Sequence, residues 1–157
     1  MNRKEEMLVR KIKEGIVIDH IKPGKGIEIL SILRNHLKGR AVLLHRASSR
    51  RMGVKDMLKI EFGLSSEKDL ELVALFSPNA TINWIKDWEV VRKEEAKLPE
   101  EVRELLRCPN PRCITNDERE REFITTVFRL DGPAYVCRYC GARISIDEIP
   151  DYINLKV

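Results

Sequence analysis

Gly15-Ile16-Val17-Ile18-Asp19-His20-Ile21, then Lys22-Pro23-Gly24, then an apolar set at Ile27, Leu30, Leu33 and Leu37: within this one stretch the hydrophobic pattern changes period. The first seven residues are mostly β-branched and lie between a glycine and a Pro-Gly turn signal, which predicts a strand. The later apolar residues recur at helical spacing, with Ile29 and Ile32 widening the stripe and Gly39 placed as a C-terminal cap, which predicts a helix. Working outward, strands are expected at 41–45 and 57–62, the second alternating Leu58, Ile60 and Phe62 with Lys59 and Glu61. Ser66-x-x-Asp69 reads as a capping signal for a helix from about Glu67 to Ser77, ended by Pro78. Two more strands fit 81–85 and 88–91. The order strand, helix, strand, strand, helix, strand, strand predicts a ferredoxin-like α+β unit, one five-stranded antiparallel sheet with two helices on one face.

The chain has 157 residues, 43% hydrophobic and 34% charged, the composition of a globular protein of one mid-sized domain or two small ones. No apolar run reaches the roughly 20 residues of a membrane span, and the N-terminus leads into no signal-peptide core, so a cytoplasmic location is expected. Glutamine is absent while Lys, Arg and Glu abound, a bias of proteins from hot environments. Charge is uneven. Residues 1–97 carry 20 Lys+Arg against 14 Asp+Glu, a balance of +6; residues 98–157 carry 9 against 11, a balance of −2. All four cysteines follow the same cut, which predicts a domain boundary at Lys97. The second segment is read as an acidic helix over 99–106, then strands over 123–130, 134–137 and 142–146 in a small all-β domain.

The cysteines are spaced Cys108-x4-Cys113, then Cys137-x2-Cys140 with Gly141 next. Two close pairs joined by a β-rich loop suit a tetrahedral four-thiolate zinc ion, one per chain. Mononuclear iron, an iron-sulfur cluster and two disulfides are the alternatives, the last disfavoured in a reducing compartment. With four protein ligands no position is open for catalysis, so the metal is expected to be structural.

Other signals are weak singly. Pro23-Gly24-Lys25-Gly26 before a helix lacks the phosphate-loop pattern. Asp19 and His20 are adjacent on a strand and should point to opposite faces, which argues against an acid/base pair. Arg46, Arg50 and Arg51 read as a solvated basic loop. No catalytic signature is present, and a small enzyme built on Asp19 and His20 has little support.

Four pieces together carry more. Gly15-x-Val17-Ile18-Asp19-His20-Ile21, Gly53-x-Lys55-Asp56-x-x-Lys59-Ile60-Glu61, Ala80-Thr81-Ile82-Asn83-x-Ile85 and Cys108-Pro109-Asn110-x-x-Cys113-Ile114 with Cys137-x-Tyr139-Cys140 resemble, in order and spacing, the regulatory chain of aspartate carbamoyltransferase. The resemblance implies a non-catalytic chain of pyrimidine biosynthesis. Its parts would be an N-terminal allosteric domain binding CTP, ATP or UTP and a C-terminal zinc domain docking on the catalytic chain, with a second regulatory chain as homodimer partner. It places Asp19 and His20 near ribose and phosphates, Lys59 and Lys93 as ribose and phosphate contacts, and Lys55 as a base near the phosphates. A base pocket is implied at Arg10, Lys11, Ile12, Val17, Asn83, Ile85, Trp88 and Val90, largely through backbone groups. Arg10 and Trp88 depart from the glutamate and tyrosine of a family member, which bears on base preference. The competing class is a zinc-ribbon nucleic-acid binder, but its ribbon should be basic, and residues 98–157 total −2 with alternating signs over Asp117–Glu122.

Overall fold

The computed structural model describes residues 10–64 and 68–154. The chain divides into two compact units, one ending at Lys97 and the other beginning at Leu98. In the first, strands β1 (Gly15–Ile21), β2 (Ala41–Ser49), β3 (Gly53–Glu61), β4 (Thr81–Lys86) and β5 (Glu89–Glu95) form one antiparallel sheet in the order β2-β3-β1-β4-β5. Helices α1 (Lys25–Leu33) and α2 (Lys68–Phe76) join β1 to β2 and β3 to β4. This is the expected ferredoxin-like order with β5 added at one edge.

The period-2 rule sorts the sheet's faces. Ile16, Ile18, Leu58, Ile60 and Ile82 are buried together with Ile29, Leu33, Leu72, Leu75 and Phe76 of the helices, and this layer is the core. The buried stripe of α1 is Gly26, Ile29 and Leu33, not the expected Ile27, which is exposed. Gly26 sets that rotation, because a Cβ there would lie 2.7 Å from Leu43 and 2.8 Å from Asp56, so only glycine lets the helix start so close to the sheet. The helix also stops at Leu33 and passes into a 3-10 turn, Arg34–His36, before Gly39. Ser66 lies outside the described residues.

Asp56 on β3 is fully buried at the start of α1. Its Oδ2 accepts the N–H groups of Gly24 (2.9 Å) and Gly26 (3.1 Å), and its Oδ1 accepts the Arg46 N–H (2.9 Å) and lies 2.9 Å from His45 Nδ1. The Pro23–Gly26 turn is therefore filled by the protein's own carboxylate, which is why it makes no phosphate loop.

The second unit is a four-stranded antiparallel sheet, β6 (Glu101–Arg103), β7 (Val127–Asp131), β8 (Ala134–Cys137) and β9 (Arg143–Ser145), in sequential order, closed by a 3-10 segment Ile146–Tyr152. The expected helix over 99–106 is corrected to strand β6. Val102, Leu105 and Leu106 have helical spacing and all are buried, but eight residues are too short to hold a helix alone, and pairing with β7 satisfies the backbone instead. Glu104 then takes a left-handed φ of 67°, which turns Leu105 and Leu106 inward together. Phe128 and Tyr135 fill the centre, the latter donating from its hydroxyl to the Pro99 carbonyl at 2.7 Å.

Candidate functional site: an open sheet face and a four-thiolate centre

The face of the first sheet opposite the core holds a cavity of about 580 Å³, within the size range of small-ligand sites. Antiparallel register explains its lining. Lys59 stands opposite Val17, Val17 opposite Asn83 and Asn83 opposite Lys93, so one rung across β3, β1, β4 and β5 carries two ammonium groups with an amide between them. One rung on, Asp19 stands opposite Thr81; one rung back, Ile85 stands opposite Val90. The β4–β5 turn puts Asp87 and Trp88 in left-handed conformations, and the Trp88 N–H donates to the Lys13 carbonyl at 3.0 Å. The segment before β1 thus meets the tight turn, and Lys11 and Ile12 join the lining.

Of the residues implied for an effector site, Lys11, Ile12, Val17, Asp19, His20, Lys59, Asn83, Ile85, Trp88, Val90 and Lys93 line this cavity. Arg10 and Lys55 do not. The carbonyl of Arg10 accepts Lys59 Nζ at 3.0 Å, and Lys55 is buried with its Nζ 2.7 Å from Asp19 Oδ1. Met57, Thr81 and Glu89 also line the cavity and were not singled out from the sequence. The signal for the first two was there, since each sits two residues along a strand from a lining residue, Lys59 or Asn83.

Asp19 and His20 do not point to opposite faces. The β1–β3 register shifts between Ile18 and Ile21 and His20 adopts φ 56°, a bulge that turns both side chains to the cavity. The His20 N–H donates to Asp19 Oδ1 at 2.7 Å, and its Nδ1 lies 3.0 Å from Thr81 Oγ1. Burial holds the His20 pKa below its ordinary value; Asp19 opposes this, and Lys55, Arg51 and Lys93 add to it. The imidazole is thus a neutral group among cations, a place where an anionic ligand would favour the proton.

In the second unit the four cysteine Sγ atoms all lie within 4.8 Å of one another, with Cys108 to Cys140 at 3.5 Å and Cys113 to Cys137 at 3.8 Å. A disulfide needs about 2.05 Å, whereas a tetrahedron of thiolates about 2.3 Å from a zinc ion has edges of roughly 3.8 Å. All four thiols are free. The Cys108–Cys113 loop is held by Asn116, whose Nδ2 donates to the carbonyls of Cys108 (2.9 Å) and Asn110 (2.7 Å), and Thr115 Oγ1 donates to Cys113 Sγ at 3.1 Å. Thr115 and Asn116 went unread in the sequence because neither is a ligand; their proximity to Cys113 was the signal.

Burial pushes the Cys108 and Cys137 thiols up, only partly offset by N–H groups of Asn110 and of Cys140 and Tyr139. At the exposed Cys140 burial is outweighed by hydrogen bonding from the Ala142 N–H and the Asn110 side chain, with Cys108 and Cys113 adding, which brings it down to about 7. Buried thiols that resist ionisation alone are stabilised by a cation, so the donor set fits one structural zinc ion and offers it no open coordination position. Such an ion would cross-link the Cys108–Cys113 loop to the β8–β9 hairpin. Among the described residues, no helix is long and apolar enough to cross a membrane.

Comparison with known proteins agrees with both halves. The family model of the aspartate carbamoyltransferase regulatory chain, allosteric domain, matches residues 7–97, and that of its metal-binding domain matches residues 100–150. The chain is 45% identical to the aspartate carbamoyltransferase regulatory chain of Caldivirga maquilingensis over 149 residues, 94% of this chain and 91% of that one. It is 44% identical to that of Aeropyrum pernix over 155 residues, 96% and 98% of the two chains. The sheet that builds the cavity and the loops that gather the thiols thus lie in the two domains of one family: the chain belongs to the aspartate carbamoyltransferase regulatory chains, non-catalytic subunits with an allosteric and a metal-binding domain.

Proposed function

We propose that the first unit binds a nucleoside triphosphate, CTP, ATP or UTP, in the cavity on the open sheet face, and that the second unit, held by zinc, passes the effect to the catalytic chain of aspartate carbamoyltransferase. The observation that carries this reading is the rung Lys59, Val17, Asn83, Lys93 beside Asp19 and His20 in one cavity. Ammonium groups suit phosphate oxygens, a carboxylate suits ribose hydroxyls, and Ile12, Ile85, Trp88 and Val90 supply the apolar surface a base needs. The +6 balance of residues 1–97 favours a small polyanion.

A second regulatory chain is the proposed partner of this unit. Among the described residues no strand pairs with the outer side of β2 or β5; β5 carries Arg92, Lys93, Glu94 and Glu95, whereas β2 carries Arg46 as its one Lys or Arg, no acidic residue, and Val42 exposed at 48%, so β2 is the edge suited to pairing. The chain is proposed to work in the cytoplasm, where thiols stay reduced for metal, in an organism of warm habitat, as its lack of glutamine suggests.

The test is assembly with the catalytic chains. Saturating nucleotide should move the affinity for catalytic-site ligands by about 5- to 150-fold, and those ligands must shift nucleotide affinity by the same factor. A complex of unchanged size and unchanged response on adding this chain would overturn the reading. Zinc identity is checked by elemental analysis, with about one ion per chain expected.

A further inference from the structure

The four thiols are not equally sheltered. Cys108, Cys113 and Cys137 are each 2% exposed, whereas Cys140 reaches solvent. The chain path gives the reason. Cys137 closes β8, but Cys140 lies past the strand, in a turn held by the Gly141 N–H on the Cys137 carbonyl (3.0 Å) and the Cys137 N–H on the Ala142 carbonyl (2.8 Å). Gly141 follows with φ 77°, and a Cβ on it would meet nothing within 4 Å, so the turn beside the fourth sulfur is open on its outer side.

The sulfurs also fall into two unlike pairs. Cys140 Sγ lies 3.5 Å from Cys108 Sγ, and Cys113 Sγ lies 3.8 Å from Cys137 Sγ. Each pair joins the Cys108–Cys113 loop to the β8–β9 hairpin. In the second pair both members are buried, and Cys113 accepts the Thr115 hydroxyl at 3.1 Å, a donor that lowers the reactivity of its sulfur. Bound metal keeps all four sulfurs as thiolates, so access decides which of them an oxidant meets first.

We propose that Cys140 is the site at which a hydroperoxide attacks the metal centre and that Cys108 is its resolving partner, so that the oxidised chain carries a Cys108–Cys140 disulfide and no metal. The Cys140 thiolate attacks one peroxide oxygen: the S–O bond forms, the O–O bond breaks, and the departing hydroxide takes a proton from solvent. Two electrons have passed from sulfur to peroxide, leaving a sulfenic acid. The Cys108 thiolate then attacks the Cys140 sulfur; the S–S bond forms, the S–O bond breaks, and the second hydroxide leaves as water with a second solvent proton. The two sulfurs close from 3.5 Å to about 2.05 Å, and the ion is freed because two of its four ligands are gone. The inference rests on the four-thiolate centre and on the proposed role of the second unit as the link to the catalytic chain, a link that oxidant would then interrupt.

The test uses the full chain loaded with zinc and an equimolar amount of hydrogen peroxide. Metal release is followed with a chromogenic chelator, dimedone traps sulfenic acid, and peptide mapping reads the sulfur pairing. The dimedone adduct is expected on Cys140, with about one ion freed per disulfide formed. The link should join Cys108 to Cys140, and Cys113 and Cys137 should still be alkylated once the chain is denatured. Thiol reductant with added zinc should restore the metal content. A first adduct on Cys108, Cys113 or Cys137, a disulfide of any other pairing, or metal retained at peroxide levels that oxidise glutathione overturns the proposal while the four-thiolate centre stands. Purified chain that holds no metal and takes up none overturns both.

Discussion

Lys55 Nζ lies 2.7 Å from Asp19 Oδ1 across the β3–β1 pair, with the lysine side chain 6% exposed and the aspartate 19%. The same Oδ1 accepts the His20 N–H, so one carboxylate oxygen fixes both a buried cation and the bulge that aims His20 at the cavity. Lys55 does not line the cavity, whereas its partner Asp19 does.

Lys55→Ala leaves a largely buried carboxylate unpaired. The expected loss is about 3 kcal/mol in the stability of the first unit, measured by urea denaturation, together with weaker nucleotide binding. Lys55→Ala together with Asp19→Ala should recover part of that stability; a double variant no more stable than Lys55→Ala would mean the pair is not the reason.

Lys59→Ala and Lys93→Ala should each weaken nucleotide binding about tenfold, the value of one charge-assisted contact, with metal content unchanged. Titration calorimetry beside elemental analysis reads both. Loss of metal instead would place these residues in the wrong unit.

His20 gives the site a pH dependence with a definite sign. Because its pKa is lowered in the free chain, it contributes stability that is present above the unfolded-state value of about 6.5 and is lost as pH falls from there through the folded value. Phosphate groups would raise the pKa in the complex, so binding takes up a proton and tightens as pH falls below about 7, by at most about tenfold per unit. His20→Asn should remove that slope. Comparing the two slopes also cancels the titration of the nucleotide's own phosphate, near pH 6.

Chelation of the metal should unfold residues from 98 onward and spare the first unit. Structural four-thiolate sites contribute on the order of 10 kcal/mol in small domains, more than a core of about sixty residues supplies. Hydrogen exchange after chelation should show protection lost in β6–β9 and kept in β1–β5; loss in both would show that the units do not fold separately. Asn116→Ala, which frees the Cys108 and Asn110 carbonyls, should raise the rate of metal loss without removing a ligand.

Strands bounded by strong turn chemistry were legible in the sequence to the residue, as at Gly15–Ile21 and Ala134–Cys137. Gly15 shows why: at φ 147° a Cβ would sit 2.0 Å from the Ile60 carbonyl oxygen, so the glycine marks where β1 must begin. Segment 99–106 failed because Val102, Leu105 and Leu106 satisfy a helical spacing, and the pairing with β7 that overrides it lies about 25 residues away. Asp19 and His20 failed for another reason. Alternation holds only for regular strands, and no local residue announces a bulge made by a left-handed histidine. The rung of Lys59 and Lys93 is a fact of register between four strands, so the sequence alone showed only solitary lysines until their motifs were taken together.

The two sheet edges have a consequence for how far association can go. The proposed two-fold pairing of β2 strands would use the edge of each copy that carries no carboxylate and would leave at each outer end a β5 edge in which Arg92 and Lys93 are followed by Glu94 and Glu95. An assembly so formed would offer a third sheet only these charged outer strands. It would close at two, with the charges that blunt β5 opposing growth into a fibre.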